Sequence, residues 1–213
     1  MKYCLIVLPY IEYMDEAQLK AMHDKADLTI CADGGQDVAY NLGIKPDVVI
    51  GDFDSSESET DRKFDCEYLS HPVEKDFTDA EACLHYAMDN GCTNIVFYGG
   101  MGGRFDHTLG ALTLLIQGSK SFARVRLVDG RNIVEVIRNT SVTLHKNSNY
   151  SKFGIMPLYE EAHGVSIKGA KYNVTNIDMY NDRTLGIGNE IVDESAVISV
   201  KDGSLYIARS REG

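Results

Sequence analysis

Apolar residues in positions 1–130 come as short β-rich runs separated by stretches of helical period. The runs Cys4–Leu8, Leu28–Ala32, Val48–Ile50, Tyr68–His71, Ile95–Tyr98 and Val125–Val128 read as strands. Among the intervening segments the clearest helix is Asp79–Asn90, where Ala80, Cys83, Leu84, Ala87 and Met88 recur at i, i+3, i+4, i+7 and i+8 and so line one face. Thr78, followed three residues later by Glu81, makes a capping box, and Gly91 suits the left-handed position just past the helix end. Strands alternating with helices predict an α/β domain with a largely parallel sheet over residues 1–130.

From Arg131 the pattern changes. Ile133–Val136, Val142–Leu144, Phe153–Leu158, Val165–Ile167, Ala196–Val200 and Leu205–Ala208 are short alternating segments, which predict an antiparallel, sandwich-like all-β domain over residues 131–213. Asp202-Gly203, between two of these runs, has the chemistry of a tight hairpin turn. No Pro/Gly-rich linker, internal repeat or low-complexity tract separates the two parts, so they are expected to pack closely.

Composition narrows the function classes. With 21 basic against 32 acidic residues, the chain lacks the basic stripe of a nucleic-acid binder. A phosphorylated ligand on so acidic a protein calls for an accompanying metal cation. No stretch approaches the ~20 apolar residues of a membrane span, and Met1–Pro9 lacks a signal-peptide pattern, so no membrane partner is expected. Cys4, Cys31, Cys66, Cys83 and Cys92 are odd in number, far apart and free of any C-x-x-C pair. Neither a disulfide framework nor a zinc site follows, and the usage fits a reducing cytoplasm. The sequons at Asn139, Asn149 and Asn173 are then chance matches.

Four polar clusters each follow an expected strand: Asp33-Gly34-Gly35, Gly51-Asp52-Phe53-Asp54-Ser55, Lys75-Asp76-Phe77-Thr78-Asp79, and Gly99–Gly103 leading into Arg104, Asp106 and His107. A parallel sheet would bring all four to its carboxyl edge, where open α/β sheets bind ligands. Taken singly, each has a plain structural account. Asp33-Gly34-Gly35 could be a strand-to-helix turn, and capping alone explains Thr78 and Asp79. Asp52 and Asp54 are harder to dismiss, because two like charges so close repel and no turn needs both. Shared coordination of Mg²⁺ relieves that repulsion and makes the edge receptive to ATP. Backbone N–H groups of the glycine-rich run, with Arg104, could receive phosphate. Phosphoryl-type transfer is the reaction class that follows.

The segments CADGGQDVAYNLGIKPDVVIGDFDSS, EKDFTDAEACL and GGMGGRFDHTLG resemble, in order and spacing, three signature segments of the thiamine pyrophosphokinase family. Gly169–Tyr172 and Leu185–Glu190 resemble its thiamine-binding β domain more loosely. The resemblance implies transfer of pyrophosphate from ATP to the hydroxyl of thiamine, with Mg²⁺, in a homodimer whose thiamine site lies between subunits. It implies that Asp52, Asp54 and Asp79 hold the metal and that Lys75, Thr78 and Arg104 contact phosphates. Asp33, Gly34 and Gly35 would line the nucleotide side together with Gly102 and Gly103, while Asp106 would orient the reacting centre or help take the alcohol proton. Tyr172, Gly188 and Asn189 would meet thiamine. Gly188 stands where the family pattern has a serine, and the chain has no Trp to stack on the ligand, a part that Tyr172 or Phe153 could take. Three other readings stand beside this one: a pyrophosphokinase for another hydroxymethyl heterocycle such as a pterin, a binding module without turnover, and a phosphatase with an aspartyl nucleophile at Asp52.

Overall fold

The structure is a computed structural model that describes residues 1–52, 62–70, 76–147 and 149–211. The chain divides into two compact units, residues 1–114 with 121–130 and residues 115–120 with 131–213.

The first unit contains β1 (Lys2–Val7), α1 (Glu16–His23), β2 (Leu28–Ala32), α2 (Gly35–Asn41), β3 (Val48–Gly51), β4 (Glu67–Ser70), α3 (Asp79–Asp89), β5 (Cys92–Tyr98), the start of α4 (Phe105–Lys120), and β6 (Arg124–Val128). Its strands all pair in parallel, in the order β6-β5-β1-β2-β3-β4. Strands covered on both faces read as continuous apolar runs, and Leu5, Ile6, Ile30, Val49, Ile50, Ile95 and Phe97 are fully buried here. Burial of each such side chain contributes ~1.5–3 kcal/mol. The strands expected from the sequence are present with their ends moved by a few residues; of the fourth, His71 lies outside the described residues. Helix α3 begins and ends as its capping signals indicate: the Thr78 side chain accepts from the Glu81 N–H at 3.2 Å, and Gly91 has φ +77°. Its buried face is Ala82, Cys83, Leu84 and Ala87.

In strand order, β1 and β5 are neighbours although three other strands separate them in sequence. The chain leaves β1 toward β2 on one side and returns at β5 on the other, so the switch in direction lies between them. The loops after β1 and β5 meet there, the Gly100 N–H donating to Tyr10 O at 2.9 Å.

The second unit holds β7 (Asn132–Arg138), β8 (Ser141–His145), β9 (Lys152–Met156), β10 (Ala162–Lys168), β11 (Val174–Met179), β12 (Asn189–Glu190), β13 (Ser195–Ser199) and β14 (Ser204–Ser210). Strands β12-β9-β14-β7 lie side by side, antiparallel, and β11-β10-β13-β8 make a separate antiparallel sheet. Ile137, Phe153, Ile155, Leu205 and Ile207 from the first set pack with Leu144, Val165, Ile167, Ala196 and Ile198 from the second in one core, the arrangement of a β-sandwich. β11 escaped the sequence reading because its residues are mostly solvent-facing and its register is interrupted.

The expected Asp202-Gly203 hairpin is not formed. β13 and β14 belong to different sheets, so this turn carries the chain from one layer to the other. Asn139, between β7 and β8, marks a second crossing beside it: the Gly203 N–H donates to Asn139 Oδ1 at 2.8 Å and the Asn139 N–H to Gly203 O at 3.2 Å. Two crossings satisfy each other's backbone groups, a long-range pairing that the local turn signal cannot distinguish from a hairpin.

Gly35 opens α2 directly against β1, and a Cβ there would penetrate the Val7 carbonyl oxygen. Gly35→Ala is expected to destabilise the protein by about 1–3 kcal/mol, read as a lower urea midpoint at unchanged slope.

Candidate active site

The site is assembled at the carboxyl edge of β2 and β3. After Ala32 the chain turns sharply: the Asp33 N–H donates to Ile50 O at 2.8 Å, and Asp33 takes φ +42°. Asp is one of the few side chains that enter this left-handed region at modest cost. Gly51, ending β3, leaves room for it, since a Cβ on Gly51 would stand 3.1 Å from both Cα and Cβ of Asp33. Asp52 follows at once. Asp79 occupies the first turn of α3, where the helix macrodipole favours a negative charge. Because α3 packs against β2 and β3, Asp79 meets the other two.

Carboxylate oxygens of Asp33, Asp52 and Asp79 all lie within 4.8 Å of one another. Burial, followed by repulsion from Asp79, Asp52 and Asp37, pushes the Asp33 carboxyl above the ordinary aspartate range, against a hydrogen bond from the Gly34 backbone that lowers it. Three hard oxygen donors in this arrangement suit an octahedral cation, whose opposite ligands stand about 4.2 Å apart at Mg²⁺ distances. Asp52 and Asp79 are together as the sequence indicated, and Asp33, expected on the nucleotide side, joins them. Adjacent pairing of β2 with β3 is what makes this so. Asp54 and Lys75 lie outside the described residues.

Beyond β5, the glycine-rich run leads to Arg104 and Asp106. Arg104 Nη2 donates to Asp106 Oδ2 at 2.6 Å and Nε donates to Oδ1 at 3.2 Å, a two-pronged pair open to solvent. These bonds hold the Asp106 carboxyl below the usual range and raise the guanidinium. The Gly102 N–H, read from sequence as a phosphate donor, donates to Thr108 Oγ1 at 3.1 Å, and the Thr108 hydroxyl donates back to Gly102 O at 3.2 Å. Thr108, one turn into α4, thus ties down the loop. Thr78 likewise has its side-chain oxygen engaged, by the Glu81 N–H, while remaining exposed. Gly34 is the N-cap of α2 and Gly35 its first residue.

In the second unit, the Asn189 amide is buried and committed. Its Oδ1 accepts from the N–H groups of Tyr172 (3.0 Å) and Glu190 (2.9 Å), and its Nδ2 donates to Tyr172 O at 2.9 Å. Asn189 therefore clamps the backbone that presents Tyr172, a role its sequence position did not announce. The Tyr172 ring is exposed, with the Lys171 ammonium 5.5 Å from its centroid. Nothing lies within 4 Å of the place a Cβ on Gly188 would take. Phe153 is buried in the sandwich core and presents no platform.

The model of the thiamin pyrophosphokinase catalytic domain family matches residues 19–127, and that of the thiamin pyrophosphokinase vitamin B1 binding domain matches residues 139–205. Thiamine pyrophosphokinase of Bacillus subtilis (strain 168) is 30% identical over 192 residues, 89% of this chain and 90% of that protein. The crystal structure of thiamine pyrophosphokinase from Bacillus subtilis aligns with a TM-score of 0.89 at 28% identity over 100% of both chains. That of thiamin pyrophosphokinase from Geobacillus thermodenitrificans aligns with a TM-score of 0.86 at 28% identity, covering 99% of this chain and 98% of the other.

The raised Asp33 carboxyl has a measurable consequence in chelator-treated protein. At neutral pH the native state holds an ionised Asp33 against burial and repulsion, a cost that disappears as acid protonates it. Asp33→Asn is therefore expected to melt at a higher temperature than wild type at pH 7, with the gain vanishing toward pH 3. The same variant should bind Mn²⁺ at least about tenfold more weakly by calorimetry, having lost a ligand charge.

Proposed function

The chain belongs to the thiamin pyrophosphokinase family, and from that membership we propose that it transfers a pyrophosphoryl group from ATP to the hydroxyl of thiamine. The products are thiamine diphosphate and AMP. The observation that carries the reading is the convergence of Asp33 and Asp52, which follow adjacent parallel strands, with Asp79 at the start of α3.

Asp33, Asp52 and Asp79 would hold Mg²⁺, with Asp54 available as a further carboxylate, and a bound Mg²⁺ supplies positive charge against polyphosphate oxygens. The thiamine hydroxyl oxygen forms a bond to the β-phosphorus as the bond from that phosphorus to the AMP oxygen breaks. Charge grows on the migrating and leaving phosphates, and Arg104 with Lys75 neutralises it. Arg104 stands in solvent and can exchange its Asp106 partner for phosphate. In the free protein Asp106 aims the guanidinium; once Arg104 turns to phosphate, the released carboxylate can take the proton that the thiamine hydroxyl loses as its oxygen bonds to phosphorus. Gly34, Gly35, Gly102, Gly103 and Thr78 belong to the turns around the nucleotide.

The acceptor side is assigned to Tyr172 and the Gly188-Asn189 turn. The exposed face of Tyr172 is suited to the cationic thiazolium of thiamine, which would take the place of the Lys171 ammonium beside the ring. Gly188 leaves open space in place of the family's serine hydroxyl. Tyr172, Tyr180, Leu185, Ile187 and Val192 are each exposed on the second unit, and a homodimer interface would cover such side chains. A cytoplasmic setting accords with five cysteines that are all free thiols, and among the described residues no helix is long and apolar enough to cross a membrane.

A ³¹P NMR time course with ATP, Mg²⁺ and thiamine should show AMP and thiamine diphosphate appearing in equal amounts, and neither when thiamine or Mg²⁺ is omitted. A hydroxymethyl pterin in place of thiamine should give no AMP. Asp52→Asn, Asp79→Asn and Arg104→Ala are each expected to lower turnover by about 10²–10³ with the fold intact by circular dichroism. Wild-type turnover in a folded variant would remove that residue from the mechanism.

A further inference from the structure

The loop after β1, residues 8–15, carries no motif that the sequence reading singled out, yet it packs against the glycine-rich loop after β5 at the β1/β5 switch point. It is pinned at three places. The Gly100 N–H donates to Tyr10 O at 2.9 Å, the Gly130 N–H to Tyr13 O at 2.6 Å, and the buried Tyr98 hydroxyl bonds to both the N–H and the carbonyl of Asp15 at 3.1 and 3.0 Å. Between these anchors Tyr10 and Glu12 are exposed, and the Tyr10 hydroxyl donates a short hydrogen bond to the Glu12 carboxylate.

The glycine-rich loop is shaped against this pair. A Cβ on Gly99 would stand 2.5 Å from Tyr10 O, one on Gly102 would stand 2.8 Å from Glu12 Oε2, and one on Gly103 would stand 2.8 Å from Cζ of the Tyr10 ring. Thus the tyrosine ring lies flush on Gly103, the residue immediately before Arg104. Gly99, Gly102 and Gly103 have φ of +104°, +87° and +60°, so the loop's path depends on residues with little intrinsic conformational preference. Thr108 fixes Gly102, and Tyr10 with Glu12 borders four of the loop's glycines: Gly99 and Gly100 through the Tyr10 carbonyl, Gly102 through the Glu12 carboxylate and Gly103 through the Tyr10 ring.

We infer that Tyr10 and Glu12 are positioning residues that hold the glycine-rich loop, and with it Arg104, in the form that accepts ATP phosphates. The inference rests on the diphosphotransfer reading for the identity of the ligand. It makes a specific kinetic claim. If the pair selects one loop path, its loss lowers the fraction of protein ready to bind, and apparent affinity falls by that fraction while the bound state is unchanged.

Tyr10→Ala should therefore raise KM for Mg-ATP by about tenfold, with kcat and KM for thiamine within about twofold of wild type and Tm nearly unmoved. Tyr10→Phe, which keeps the ring on Gly103 and loses the bond to Glu12, should fall between the two. Glu12→Gln, which can still accept that bond, should lie closer to wild type than Glu12→Ala. An unchanged KM for Mg-ATP in Tyr10→Ala would overturn the inference, as would a joint fall in kcat, both affinities and Tm, which would mark a structural role. Calorimetric titration of the same variants with Mg-ATP, without thiamine, separates this inference from the assigned function. Weakened nucleotide binding supports the positioning role even where wild type forms no AMP, an outcome that would instead overturn the function. Equal nucleotide affinity in wild type and Tyr10→Ala overturns the positioning role whatever the turnover.

Discussion

Parallel pairing of β1, β2, β3 and β5, with both faces of the strands buried, is the constraint from which the N-terminal unit follows. Strands that run the same way deliver every following loop to the same edge. Strands buried on both faces also exclude charge, because an ionised group in such a core would lose its hydration without a partner. Asp33, Asp52 and Arg104 therefore come after their strands have ended, and Asp79 joins them from the start of the helix packed behind. The edge is polar because the sheet cannot be.

Concentrating three carboxylates there carries an electrostatic cost that the fold accepts. Asp33 adopts a left-handed backbone and is held above its ordinary range by burial and by its acidic neighbours. Gly51 provides the space, and the α3 N-terminus offsets part of the repulsion at Asp79. A dication among them would add an attraction to each carboxylate that outweighs their mutual repulsion. Arg104 is prepared in a different way. Its guanidinium is paired in solvent, where a charge pair is weak and readily exchanged.

The second unit achieves presentation by clamping. Its two antiparallel layers share one apolar core, and the chain crosses between them at Asn139 and again at Asp202-Gly203, two turns that satisfy each other. On its surface the buried Asn189 amide holds the backbone of Tyr172 by both of its polar ends, leaving the ring to face outward. A side chain read from sequence as a ligand contact thus acts on the backbone of Tyr172. Hydrogen bonds from a buried amide are well suited to that work, because leaving any of them unmade is costly.

Local signals in the sequence were enough for α3, whose capping box at Thr78, apolar spacing and terminal Gly91 all act within a few residues of one another. They were enough as well for β1, β2, β3 and β5, because a strand buried on both faces is an unbroken apolar run. Motif order in residues 31–115 disclosed the family, and the placing of acidic and glycine-rich clusters after strands disclosed the chemistry. Lateral relations were beyond its reach. That β2 lies beside β3, bringing Asp33 to Asp52, and that β5 returns next to β1, bringing Tyr10 to Gly103, are facts of strand order, which hydrophobic period does not encode. The Asp202-Gly203 turn shows the same limit, since a hairpin and a crossing between sheets use the same turn chemistry and differ only in what the next strand pairs with. Sequence by itself determined the elements and the kinds of side chain between them; tertiary structure alone decided which of those side chains meet, because long-range pairing depends on the shape of the whole core.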